Sequence, residues 1–157
     1  GFLISAGFLF SSRKMVEEVP YDPNLYFEGE ETTLALRLFT NGFDIFHIPR
    51  TPLFHCYVDY SNVTKRPMHW NDSEEEARTV KWRVLQEKSK NRIDQIVQKK
   101  LKGSFGLGVE RSLNDYKEFS GIDIKNKKII DKETAFNFKK LFELDWKEAT
   151  KKKSFLW

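Results

Sequence analysis

Cysteine is almost missing from this chain: Cys56 stands alone. A single cysteine excludes an internal disulfide framework and a multi-cysteine zinc site, and it fits a reducing compartment. No apolar run is long enough to cross a bilayer, and no cationic segment precedes the apolar start, so no membrane segment is expected in this chain. An initiator methionine is also missing. The opening "GFLISAGFLF" (1–10) reads like a buried strand entered midway, and the expectation is a fragment with an upstream part. Histidine is scarce, with His47, His55 and His69. No internal repeat is visible. The sequons at Asn62-Val-Thr64 and Asn71-Asp-Ser73 carry meaning only in a secretory context.

What is present suffices for one modest domain. The chain has 157 residues, 39% of them hydrophobic and 15% aromatic, which separates it from disordered compositions and allows a real core. The net charge of +4 is unevenly spread. Basic residues crowd positions 81–102 and recur at Lys151, Lys152 and Lys153, whereas 17–31 is acidic. Such a stripe attracts phosphates or nucleic acid. A solvated helix face accounts for most of these lysines, and the chain has no RRM, KH or zinc-finger pattern, so no nucleic-acid partner is expected.

Periodicity and punctuation divide the chain. Residues 2–10 read as a strand with a break at Gly7. "SSRKMVEEV" (11–19) reads as a short helix capped by Ser11 or Ser12, with Met15, Val16 and Val19 on one face. "PYDPN" (20–24) is turn chemistry. Residues 30–41 read as a helix ended by Gly42, and Glu30 and Glu31 in its first turn suit the positive end of its dipole. "FDIFHIP" (43–49) and "PLFHCYV" (52–58) read as extended segments, followed by a loop over 59–71. Ser73-Glu-Glu-Glu76 forms a capping box for a long helix through Ala77, Val80, Val84, Ile93, Ile96, Val97 and Leu101, with a polar stretch at 89–91 and Gly103 at its end. A glycine-bearing loop and a short helix occupy 103–122, and an amphipathic helix lies around 132–143. The loop's G-x-x-G-x-G order, with no strand before it, is not a dinucleotide fingerprint.

Two sets of residues have chemical potential. Glu28, Glu30 and Glu31 surround Gly29. As first-turn acids they stabilise a helix by up to ~1 kcal/mol each. They also repel one another, which a cation or sugar hydroxyls would relieve, and Gly29 permits close approach of a ligand to the backbone. A helix cap, a metal site and a sugar site all remain open on these residues alone. His55, between Phe54 and Tyr57, is the more suggestive histidine: an imidazole with carboxylates suits Mn²⁺ or a similar divalent ion, although the ligand set within this chain is incomplete.

The stretch "ISAGFLFSSRKMVEEVPYDPNLYFEGEETTLALRLFTNGFDIFHIPRTPLFHCY" (4–57) resembles the second half of a GT-A-type glycosyltransferase. It is most similar to the hydroxyproline N-acetylglucosaminyltransferases, which act on cytoplasmic proteins. The order matches: an A-G-F-x-F strand, a P-Y-D-P turn, a G-E-E helix entry, an R-x-F/W-T-x-G-F/Y-D helix end and an H-x-Y segment. "RPMHW" (66–70) and "GLGVERSLNDYKEFSGIDI" (106–124) extend the likeness to about residue 125. More distantly, the A-G, Y-D, G-E and later histidine signals resemble the polypeptide N-acetylgalactosaminyltransferases in order and spacing.

The resemblance implies an α/β fold: the C-terminal, acceptor-side half of a GT-A, Rossmann-like domain over 1–71, with a mixed-sheet remnant. A helical extension and Gly-containing loop would follow over 72–125, then a basic segment over 126–157. It implies a retaining, metal-dependent transfer of a sugar, GlcNAc in the nearest family, from a UDP-sugar donor to a hydroxyl of a protein acceptor in the cytoplasm. His55 would ligate Mn²⁺. Ala6 and Gly7 would lie against the donor sugar. Glu30, and after it Glu31, would be the catalytic-site carboxylates that bind sugar or acceptor hydroxyls, beside Gly29. Arg66, His69 and Trp70 would close over UDP, the guanidinium suiting phosphate oxygens and the indole a base or sugar face. Retention implies front-face transfer in which the departing phosphate takes the acceptor proton, so Glu30 positions groups and is not an obligate base.

The chain departs from the pattern in places. It contains no D-x-D, Ser112 replaces a threonine, and 126–157 has no counterpart. With half the donor site elsewhere, the fragment alone is expected to be inactive. A catalytically degenerate domain of the same fold is the alternative.

Overall fold

A computed structural model describes residues 1–47, 53 and 75–136. Helix α1 (Arg13–Glu18) begins where Ser12 Oγ accepts the Met15 N–H at 3.4 Å. An exposed Arg13–Glu17 pair one turn apart spans it at 2.7 Å, an interaction of small worth in water. Met15 and Val19 are buried, whereas Val16, expected on the same face, is exposed. The helix is too short to bury three apolar positions against a single neighbour.

That neighbour is α2 (Glu30–Thr40), the central element. Every residue from Thr33 to Thr40 is buried, so the helix is covered on all sides. Leu34 and Leu38 pack against Met15 and Val19, with Ile4, Phe43 and Ile45 around them. Leu36 and Phe39 face the other way, onto Phe2, Val97 and Tyr116. The threonines avoid stranding their hydroxyls in this core: Thr33 Oγ1 donates to the Gly29 carbonyl at 2.7 Å and Thr40 Oγ1 to Leu36 at 2.9 Å. The C-terminus closes as a Schellman motif. Gly42 sits at φ 84°, its N–H on the Phe39 carbonyl and the Phe43 N–H on that of Leu38.

The long helix expected from Ser73, itself outside the described residues, is interrupted. Glu75 and Glu76 are helical, residues 77–81 are not, Lys81 is extended, and α3 (Trp82–Val97) starts with the Glu75 carboxylate accepting the Trp82 N–H at 3.0 Å. The polar stretch at 89–91 does not break it. Ser89 is buried and holds the Tyr26 backbone N–H through its hydroxyl. The helix stops at Val97 instead of Leu101, because Lys99 takes φ 57° and the Lys100 N–H returns to the Gln95 carbonyl. A lysine at that left-handed position gives no sequence signal of a terminus.

A 3₁₀ turn (Gly103–Phe105) leads into the glycine loop, which docks on the C-terminus of α2. The N–H groups of Glu110 and Arg111 donate to the Thr40 carbonyl, and the Gly108 N–H donates to Thr40 Oγ1 at 2.9 Å. A Cβ on Gly108 would collide with the Thr40 carbonyl. Arg111 reaches the carbonyls of Gly42 and Phe43 and the Asp44 carboxylate at 2.7 Å. Helix α4 (Leu113–Ser120) follows, with a complete capping box between Ser112 and Asp115 and Gly121 at φ 70° past its end. Buried Tyr116 donates to the Phe2 carbonyl at 2.8 Å, tying the N-terminal segment to this helix. Strands β1 (Ile122–Asp123) and β2 (Lys128–Ile129) pair antiparallel, Ile122 opposite Ile129, and α5 (Lys132–Phe136) ends the described chain.

Among the described residues these two short strands are the only ones. The strands expected at 2–10 and 43–49 are irregular over 2–10 and 43–47. The two segments still run side by side: the Gly1 amine donates to the Ile45 carbonyl, and His47 Nε2 lies 2.8 Å from the Leu3 carbonyl.

Candidate functional site

The sequence-nominated residues that the structure describes meet where α2 begins. Phe27 at φ 58° and Gly29 at φ 86° bend the backbone twice in quick succession, which turns Glu30 and Glu31 into the first helical turn. Only glycine fits at 29. A Cβ there would strike the side chain of Ile93 on α3. The close approach that Gly29 permits is thus made by Ile93.

Glu31 is exposed, and its Oε1 accepts the Ala6 backbone N–H at 2.6 Å. That bond draws the turn at Ala6–Gly7 to the mouth of α2. The turn is closed by the Phe8 N–H on the Ser5 carbonyl at 3.3 Å. Among the described residues Gly7 faces open space: an added Cβ would meet only Ser5 Oγ, at 3.8 Å. Glu30 is half-buried. Burial, then the charge of Glu31, pushes its carboxyl up from the ordinary value. Tyr21 lies within the same field. Its hydroxyl is pushed up by burial, then by Glu30 and Glu31. The mouth therefore offers a carboxyl raised by its surroundings, a tethered carboxylate, a phenol and an open turn, a set suited to exchanging hydrogen bonds with hydroxyls.

His55, Arg66, His69 and Trp70 lie outside the described residues. His47 bonds a backbone carbonyl, a structural role. Among the described residues no group of three or more His, Cys, Asp or Glu is spaced to hold a metal ion. Glu31 is engaged by the Ala6 N–H. The described residues do not by themselves fit the expected Mn²⁺.

Sequence reasoning missed a buried ionic cluster behind the site. Arg37 is fully buried in the middle of α2, with Nη2 donating to the carbonyls of Pro20 at 2.7 Å and Ser104 at 2.5 Å. Asp22 is also buried and accepts from Arg92 Nε at 2.9 Å. It also accepts the N–H and the amide of Asn24. Both guanidiniums lie over the Phe105 ring, 5.6 and 5.7 Å from its centroid. The cluster joins the 20–24 turn, α2, α3 and the 103–105 turn, and so fixes the loop that delivers Glu30. Its one sequence signal is an arginine inside the apolar run Leu34–Phe39.

This site sits in a chain whose residues 2–126 match the family model described as "Glycosyltransferase (GlcNAc)". The match covers most of the chain, which belongs to this family of glycosyltransferases. A sugar donor and an acceptor are therefore its partner classes. No curated protein and no solved structure matches the chain. Among the described residues no helix is long and apolar enough to cross a membrane.

Proposed function

We propose that this chain forms the acceptor-side half of a retaining GT-A glycosyltransferase of the hydroxyproline GlcNAc-transferase type, acting in the cytoplasm. The reaction moves GlcNAc from UDP-GlcNAc to a protein hydroxyl, of hydroxyproline or of Ser or Thr. The observation that carries this reading is the bond from Ala6 to Glu31, which puts the open Ala6–Gly7 turn and Glu30 at one mouth.

In this reading the donor sugar lies against Ala6 and Gly7, where the missing side chain leaves room. Glu30 hydrogen-bonds a sugar or acceptor hydroxyl through its carboxyl oxygens. The acceptor oxygen bonds the anomeric carbon as the bond to UDP breaks, on the same face, and the leaving phosphate takes the acceptor proton. Glu30 orients these groups. Arg66, His69 and Trp70 would close over the nucleotide. The residues expected to hold a divalent ion are His55 and a D-x-D-type motif, which this chain lacks, so the activity is that of a longer protein. When bound, such an ion offsets charge on the departing diphosphate.

The test is UDP-GlcNAc hydrolysis and transfer by the full-length protein, with and without Mn²⁺. Glu30→Gln is expected to keep most of the activity and Glu30→Ala to lose it. Loss with Glu30→Gln would assign base catalysis instead of positioning. Turnover that is independent of metal and indifferent to His55→Ala would sink the metal-dependent reading.

A further inference from the structure

The loop that leads to Glu30 forms one wall of a second concavity. Pro23, Leu25 and Tyr26 face one side of α3 across a pocket of about 530 Å³, within the size range of ligand sites. The α3 wall presents Lys88, Asn91, Arg92 and Gln95, which recur at helical spacing on one face. Lys88, Asn91 and Gln95 are exposed, and Arg92 is half-buried.

Two features narrow the occupant. The first is charge. Behind the pocket two guanidiniums, Arg37 and Arg92, face a single buried carboxylate, Asp22, and Lys88 adds a cation at the rim. This excess favours an acidic group. The second is spacing. Asn91 and Gln95, one turn apart, are separated by about 6 Å along the axis, close to the repeat of every second residue in an extended chain, roughly 6.6 Å. Carboxamides offer a donor and an acceptor together, as a peptide unit does. The apolar wall of Pro23, Leu25 and Tyr26 suits the opposite side chains.

We propose that this pocket binds an extended, acidic segment of the acceptor polypeptide, with Asn91 and Gln95 pairing with its backbone and Lys88 with its acid. Phosphate would use Lys88 and the carboxamide N–H groups but leaves the carboxamide oxygens and the apolar wall without a role. The proposal rests on the transferase reading and adds a docking site that hands the acceptor hydroxyl towards Glu30 along the 23–29 loop.

The test uses the full-length protein and a short fluorescein-labelled extended peptide that carries aspartates and a central hydroxyproline. Asn91→Ala/Gln95→Ala is expected to weaken peptide binding and to raise KM for the peptide by about tenfold, while KM for UDP-GlcNAc and the rate of donor hydrolysis stay unchanged. Lys88→Glu is expected to lose the aspartate peptide and to favour its lysine counterpart. Unchanged peptide binding, or a matching rise in KM for the donor, would overturn the proposal, as would competition by inorganic phosphate that leaves the apolar wall irrelevant. Fluorescence anisotropy separates the two readings: peptide binding that persists without any transfer would defeat the transferase reading and leave the docking site standing. Circular dichroism confirms that each variant is folded.

Discussion

Glu31 Oε1 accepts the backbone N–H of Ala6 at 2.6 Å, joining two residues 25 positions apart. The bond sets the distance between the glycine turn and the first turn of α2. Glu31→Gln keeps an acceptor oxygen for that N–H, whereas Glu31→Ala removes it. The expected outcome is kcat/KM for donor hydrolysis within about threefold of wild type for Glu31→Gln and about tenfold lower for Glu31→Ala, the worth of one charge-assisted bond. Equal losses in both variants would mean that the charge of Glu31, not its tether, matters.

Glu30 is held above the ordinary carboxylate value by burial and then by Glu31. A carboxyl raised in the fold binds its proton more tightly there than in the unfolded chain. Its contribution to stability is full below the unfolded pKa and is lost as pH rises through the folded one. Glu30→Gln is therefore expected to raise Tm at neutral pH and to leave it nearly unchanged in acid. Thermal melts across pH read this directly.

Gly29 at φ 86° abuts Ile93. Gly29→Ala imposes left-handed strain on an L-residue and overpacks the contact, together about 2–4 kcal/mol. Adding Ile93→Ala relieves the clash but not the backbone strain. The double variant should thus be more stable than the sum of the single losses, with a coupling of about 1 kcal/mol or more. Denaturant unfolding of the four proteins supplies the cycle, and strict additivity would separate Gly29 from α3.

Asp22 is fully buried, and burial pushes its carboxyl up. Arg92 and Asn24 outweigh that and hold it below the ordinary value. The stability it contributes is present above the unfolded pKa and is lost as pH falls through the lower folded one. Asp22→Asn leaves two guanidiniums uncompensated and should cost about 3–5 kcal/mol at neutral pH. The deficit relative to wild type should shrink in acid, where wild-type Asp22 is itself protonated. A deficit constant with pH would make the loss one of packing.

The helices of the site were legible to different degrees. The central helix could be read within a residue from its leucines, its first-turn acids and Gly42, because each of those signals is local. The long helix expected after Ser73 is broken at 77–81 and stops early. Its second start depends on Glu75 reaching the Trp82 N–H, and its stop on a lysine at positive φ. Neither leaves a residue type that marks a boundary. The strand reading of 2–10 came from an apolar run and that of 43–49 from alternation, and over the described residues both record burial against α2 equally well when no ladder forms.

The amino-acid order by itself determined the family, through a series of short signals along the chain, and it placed Glu30, Glu31, Ala6 and Gly7 among the residues to watch. Only the tertiary structure decided what those residues do to one another. It tethered Glu31 to Ala6, turned Gly29 against Ile93, and buried Asp22 and Arg37 with Arg92 behind the loop. The reason is physical: a carboxylate's partner and a charge's burial depend on which distant segments share a surface, and pairwise contacts across 25 to 70 residues leave no periodic trace in the chain.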